Sequence, residues 1–164
     1  MALAGADIPS IKMWNLVGAL SMVVMLFDTA RRTAGPLAGA IAAWLLALSP
    51  LLIELSVYPM VEPPSLFLLT VWIWATAWAI DSKRPIFPIL LAGLALSAAT
   101  LTRATTMYWI PAIALLCAMA YFVPRLKAMH VPWARIATIH LIALLCVGAY
   151  IARNAVEFGK PAIA

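Results

Sequence analysis

Charge is what this chain has least of. Of its 164 residues only 10% are charged, and only six are acidic. A soluble domain carries roughly a quarter charged residues, so an ordinary soluble fold is excluded: too little polar surface exists to cover the core that so many apolar residues would make. Cysteine is scarce as well, with two residues, and both Cys117 and Cys146 lie inside apolar runs. They report nothing firm about redox compartment, and a disulfide framework is not expected. The N-terminal stretch, residues 1–15, has no basic region ahead of its apolar run. A cleaved signal peptide is therefore not expected, and the first apolar segment is expected to stay in the membrane. The chain has no Gly-rich phosphate loop, no Asp-x-Asp pair, no His-Glu-x-x-His and no Ser/His/Asp order, so none of the chemistries tied to those motifs has a starting point.

What the chain does have is apolar length. Hydrophobic residues make up 66% of it, and the mean hydropathy is +1.03. The expected fold class is all-α: one polytopic integral membrane bundle of about six transmembrane helices, forming a single transmembrane domain over residues 1–164. The segments run over about 13–27, 36–53, 64–80, 86–101, 107–122 and 136–151. Several are short of the ~20 residues of a straight crossing, and helical continuation into the flanks would make up the difference. Asp28 precedes Arg31 and Arg32 by three and four residues, a spacing that pairs them on one helix face.

The basic residues sort into two sets when connectors alternate sides. One set holds Arg31, Arg32, Lys83, Arg84, Arg125, Lys127 and Arg135; the other holds Lys12, Arg103, Arg153 and Lys160. The richer set is expected on the cytoplasmic side, in contact with anionic lipid, with both termini outside. A bacterial inner membrane is the expected location. Net charge is +5, but the cations sit in short connectors, which points to membrane topology and away from nucleic acid. The outer rim would then carry Glu54, Glu62, Arg103, Arg153, Glu157 and Lys160, a mixed-charge set and the place to look for chemistry.

One connector stands apart. Residues 45–67 join two apolar segments and contain Glu54, Glu62 and the prolines Pro50, Pro59, Pro63 and Pro64. Proline lacks an N–H and interrupts helices. Carboxylates beside a membrane span face water, a cavity or a partner. The stretch reads as a turn at a membrane surface that presents acids.

Four pieces of the chain together resemble GT-C-type polyprenyl-phosphate-dependent sugar transferases, the group that includes protein O-mannosyltransferases and aminoarabinose transferases. Residues 17–50 resemble their second and third membrane helices. Residues 58–69 are similar to their Thr-Glu-Pro element, with Val61 where Thr is usual. Residues 93–116 are similar to their Gly-Leu…Leu-Thr-Arg-Pro segment, with Ala104 in place of Pro, and residues 152–164 look like their Arg-Asn…Phe-Gly-Arg stretch. Order and spacing agree for all four. The resemblance implies a membrane glycosyltransferase that moves a sugar from a polyprenyl-phosphate carrier to an acceptor at the extracytoplasmic face. It also implies that Arg103 and Arg153 contact phosphate and that Glu62 contacts the donor or a divalent cation. Family members carry their acidic catalytic loop before the first segment seen here, so the chain is expected to be either a truncated internal part of such an enzyme or an inactive relic of one, and no catalytic base is named.

Each of these residues also has a purely structural reading. An acid in the first turn of a helix, such as Glu62, is favoured by the helix dipole alone. Arg103 could snorkel to headgroups, and Arg153, expected just past a helix end, could be an interfacial anchor. His140 reads as a core histidine satisfied by a neighbouring helix, or as a ligand to a haem or chlorophyll metal; no second histidine shares its face. Trp74 and Trp78 share a helix face and read as packing or lipid anchoring, with Trp78 suited to an aromatic belt. The second reading of the whole chain is a non-catalytic accessory subunit of a larger respiratory or photosynthetic membrane complex, with His140 and the tryptophans facing cofactors or neighbours.

Overall fold

The computed structural model describes residues 8–57, 62–123 and 131–159, and these are helical with short connectors and no strand. The elements are α1 (Ile8–Ala34), α2 (Pro36–Ala47), α3 (Pro50–Val57), α4 (Glu62–Asp81), α5 (Ile86–Thr102), a 3-10 turn (Ala104–Tyr108), α6 (Trp109–Phe122) and α7 (Trp133–Phe158). Of these, α1, α4 and α7 are long and apolar enough to cross a membrane. The expected all-α membrane bundle is what the chain forms.

Several boundaries fall elsewhere than expected. Helix α1 continues through Asp28 to Ala34 because Asp28 supports it from within: Arg31 Nη2 donates to Oδ1 at 2.7 Å and Arg32 Nε to Oδ2 at 2.6 Å. The second segment, expected as one run over 36–53, is broken at Leu48 and Ser49. Pro50 has no N–H for the preceding turn and opens α3 instead. The connector of residues 45–67 is therefore partly helical, while residues 58–61, with Pro59 and Val61, lie outside the described residues. Between α1 and α2 a single residue turns the chain. Gly35 has φ +93°, which L side chains rarely adopt, and Pro36 starts α2 in the first-turn position suited to it.

Packing directions follow from cross-helix contacts. α1 and α4 run parallel: Trp14 and Pro63 near their N-terminal ends share a groove, and Trp74 Nε1 donates to Asp28 Oδ2 at 2.9 Å near the other end. The α2–α3 pair returns along α1. α5 runs back along α4, and α7 is parallel to α5, with α6 as the return between them. Arg135, in the first turn of α7, donates through Nη1 to the carbonyls of Ala79 at 2.6 Å, Ile80 at 3.1 Å and Ser82 at 3.0 Å.

Alanines are prominent in the interior, beside larger buried side chains such as Leu96, Ile139 and Trp72, and many large apolar side chains face outward. Ala75, Ala79, Ala92, Ala99 and Ala143 are fully buried, whereas Leu20, Val24, Trp44, Leu45 and Leu145 lie exposed on the outside. Helices in lipid gain little from burying Leu against Leu rather than against acyl chains; small residues at the seam gain close backbone approach. Gly93 is the extreme case. A Cβ there would stand 2.7 Å from Ile142 Cγ2 and 3.1 Å from the Ile139 carbonyl oxygen, so only glycine lets α5 lie this close to α7. Two buried hydroxyls of α5 are satisfied locally, as a medium without water favours: Ser97 donates to Gly93 O at 2.7 Å and Thr100 to Leu96 O at 2.8 Å, whereas the buried Thr76 Oγ1 has no partner among the described residues. Thr100 is a fully buried member of α5.

Candidate functional site

The helix directions place the charged residues at two ends of the bundle. One end collects the C-termini of α1 and α4 and the N-termini of α5 and α7, with Asp28, Arg31, Arg32, Asp81, Lys83, Arg84 and Arg135. The opposite rim collects the N-terminus of α4 and the C-termini of α5 and α7, and so brings Glu62, Arg103 and Arg153 to one side. Among the described residues the separation expected from alternating connectors is reproduced; Arg125, Lys127 and Lys160 lie outside the described residues.

At the rim, Arg103 sits where the regular backbone stops. α5 ends at Thr102, Arg103 is extended at φ −145° and ψ 109°, and the 3-10 turn follows. The break has a local cause: the Arg103 carbonyl accepts from Thr106 N at 3.0 Å and from Thr106 Oγ1 at 2.7 Å, which caps the turn in place of another α-helical step. The Arg103 side chain is exposed, and it has no hydrogen bond or ion pair with another described residue. The expectation of a break around Arg103 is met.

Glu62 opens α4 ahead of Pro63 and Pro64 and is half-buried. Its position satisfies the dipole at no geometric cost. Among the described residues no group of three or more His, Cys, Asp or Glu side chains lies close enough together to hold a metal ion. Glu62 is not part of a described cation site. Glu54 is exposed on α3.

Arg153 differs from expectation. It lies inside α7, which continues to Phe158, and not beyond a helix end. It is held by Glu157 one turn on, with Nε to Oε1 at 3.0 Å and Nη2 to Oε2 at 2.9 Å. The fork-to-fork geometry is the one a guanidinium also offers a phosphate, so an anion at Arg153 competes with Glu157.

His140 is buried, as expected, but its partner is not on a neighbouring helix. Its Nδ1 lies 2.8 Å from the Ile136 carbonyl oxygen of its own helix, and Nε2 has no partner among the described residues. The ring meets Trp72 edge to face at 5.9 Å, and Trp72 in turn lies 6.5 Å from Trp109. This aromatic knot ties α4, α6 and α7 together, with Trp72 and His140 buried and Trp109 half-exposed. Trp74 and Trp78 pack on each other at 5.4 Å, as their spacing predicted.

Two features were invisible in the residue pattern. Arg135, sorted as one more basic anchor, caps the last carbonyls of α4 across the helix interface. Trp74, read as an anchor, donates to the carboxylate of Asp28. A groove of about 690 Å³ lies along α1, with Asp28 and, from α4, Trp74 in its lining; a separate one of about 280 Å³ lies nearer the start of α4, at Pro63, Pro64 and Phe67. No spacing rule links Asp28 to Trp74, because only the parallel packing of α1 and α4 sets them side by side.

The family model described as dolichyl-phosphate-mannose-protein mannosyltransferase matches residues 1–150. No curated protein and no solved structure matches the chain.

Proposed function

The chain belongs to the dolichyl-phosphate-mannose-protein mannosyltransferase family, and from that premise we propose that it takes part in sugar transfer from a polyprenyl-phosphate carrier at the rim that holds Glu62, Arg103 and Arg153. Membership of the family supports a membrane glycosyltransferase-like protein in general. The carrier, the site residues and the orientation are our reading.

The observation that carries it is Arg103: a guanidinium at a helix break near the membrane surface, exposed, and without a side-chain partner among the described residues. An unpaired arginine in that position is ready for an anion, and two parallel N–H donors fit a phosphate. In the transfer, an acceptor hydroxyl attacks the anomeric carbon, a base outside the described rim takes its proton, and the bond to the carrier phosphate oxygen breaks. Negative charge then grows on the departing phosphate. Arg103 balances that charge, and Arg153 adds to it by exchanging Glu157 for the phosphate. Glu62 contacts the donor at the start of α4. The rim faces away from the cytoplasm because the richer basic end is retained inside.

The test compares sugar transfer from a polyprenyl-phosphate donor by the intact protein and by Arg103→Ala in matched membranes. Loss of one charge-stabilising group of this kind lowers turnover by about 10²–10³-fold. Unchanged transfer removes Arg103 from the site and this reading with it.

A further inference from the structure

A groove lies toward the other end of the bundle, away from the rim proposed for sugar transfer. The larger groove lies along α1, lined by Val17, Leu20, Val24 and Phe27, with Trp74 of α4 as a side wall and Asp28 at its basic end. From Val17 to Asp28 it follows α1 for about 17 Å at 1.5 Å per residue. One leaflet of a bilayer core is about 15 Å deep, half of the ~30 Å total. The groove therefore has the length of one acyl chain in one leaflet, and it is too short for a crossing helix to bury its full face.

The closed end carries the matching polar chemistry. Asp28 is saturated: Oδ1 accepts from Arg31 Nη2, and Oδ2 accepts from Arg32 Nε and Trp74 Nε1. One carboxylate against two guanidinium groups leaves this cluster with a net positive charge. Each arginine spends one nitrogen on Asp28, and a guanidinium has five N–H donors, so further donors remain on both. Arg31 keeps half of its side chain exposed, at 50%. Lys83 and Arg84, exposed at the same end, reinforce the positive field.

We propose that the α1–α4 groove is a binding site for an anionic phospholipid, with one acyl chain lying along Val17 to Asp28 and the phosphodiester on the free N–H groups of Arg31 and Arg32. The Asp28 cluster holds both guanidinium groups at the mouth of the groove, so that the lipid meets an ordered pair of donors and no side chain has to be recruited from solvent. The apolar wall takes any acyl chain; the arginine pair selects the anionic headgroup.

The experiment is native mass spectrometry of the full chain, released from detergent micelles containing equal amounts of phosphatidylglycerol and phosphatidylcholine with the same acyl chains. The intact protein is expected to retain the anionic lipid over the zwitterionic one by about tenfold. Val24→Trp fills the groove from a position already 66% exposed, and it abolishes retention; Leu145→Trp, at a 63% exposed position on α7, leaves it unchanged and reports on folding. Arg31→Gln, which leaves Asp28 to Arg32 and Trp74, removes the headgroup preference but not the acyl-chain adduct. Equal retention of the two lipids by the intact protein overturns the proposal, as does retention by Val24→Trp. A dimer that disappears in Val24→Trp would make the groove a contact between copies. Displacement of phosphatidylglycerol by a polyprenyl phosphate would make it a donor seat. Either result replaces the phospholipid.

Discussion

The contact between α5 and α7 makes a prediction whose sign is decided by the fold. Alanine is the better helix former, so Gly→Ala in an unobstructed helix stabilises by up to about 1 kcal/mol. At Gly93 the new Cβ would stand 2.7 Å from Ile142 Cγ2, 2.8 Å from Ile142 Cβ and 3.1 Å from the Ile139 carbonyl oxygen. Carbon atoms rest about 3.5–4.0 Å apart, so the shortfall is on the order of 1 Å. Rotating Ile142 moves Cγ2 but leaves its Cβ in place, and the carbonyl belongs to the backbone. Relief has to come from separating the two helices. Overpacking of this kind costs about 1–3 kcal/mol, which outweighs the propensity gain. At Gly148, on the same helix as Ile142, nothing lies within 4 Å of the new Cβ, and the propensity term stands alone. Unfolding in mixed micelles of increasing SDS fraction, followed by circular dichroism, should show Gly93→Ala destabilised and Gly148→Ala unchanged or stabilised. Adding Ile142→Ala to Gly93→Ala recovers only part of the loss, because the Ile142 Cβ and the Ile139 carbonyl remain. A neutral or stabilising Gly93→Ala would refute the close packing of α5 on α7.

Arg135→Ala removes the guanidinium that closes α4 from α7 and leaves the carbonyls of Ala79, Ile80 and Ser82 to other partners; a loss of about 1–3 kcal/mol is expected in the same SDS titration. Arg135→Lys restores part of it, since an ammonium reaches a carbonyl without the fork. Trp74→Phe keeps the ring against Trp78 but deletes the donor to Asp28. Because Arg31 and Arg32 still hold the carboxylate, the cost is modest, about 1 kcal/mol, and a loss well above that would mean that Trp74, and not the arginine pair, orients Asp28.

How much of this was legible beforehand differs from residue to residue. The pairing of Asp28 with Arg31 and Arg32, and of Trp74 with Trp78, is set within one helix, and helical spacing alone predicts it. The break at Arg103 falls in the gap between the apolar runs 86–101 and 107–122, where Thr106 competes for a backbone carbonyl. The break at Leu48–Ser49 was carried by Pro50, yet the apolar character on both sides of it concealed two helices as one. Arg153 was assigned to a helix end because polar residues follow an apolar run; its pairing with Glu157 instead extends the helix by more than a turn.

The sequence by itself determined that this is a helical membrane protein and which charges share an end of the bundle, because apolar length and the alternation of connectors are properties of the chain in one dimension. The tertiary structure decided the rest. Arg135 became the cap of α4, Trp74 the partner of Asp28, and His140 part of an aromatic knot with Trp72 and Trp109. The groove along α1 likewise takes its side wall from Trp74 of α4. Each of these joins residues from different helices, and the relative placement of helices in lipid is set by which small residues let two backbones approach, a property of pairs of surfaces that no single stretch of chain contains.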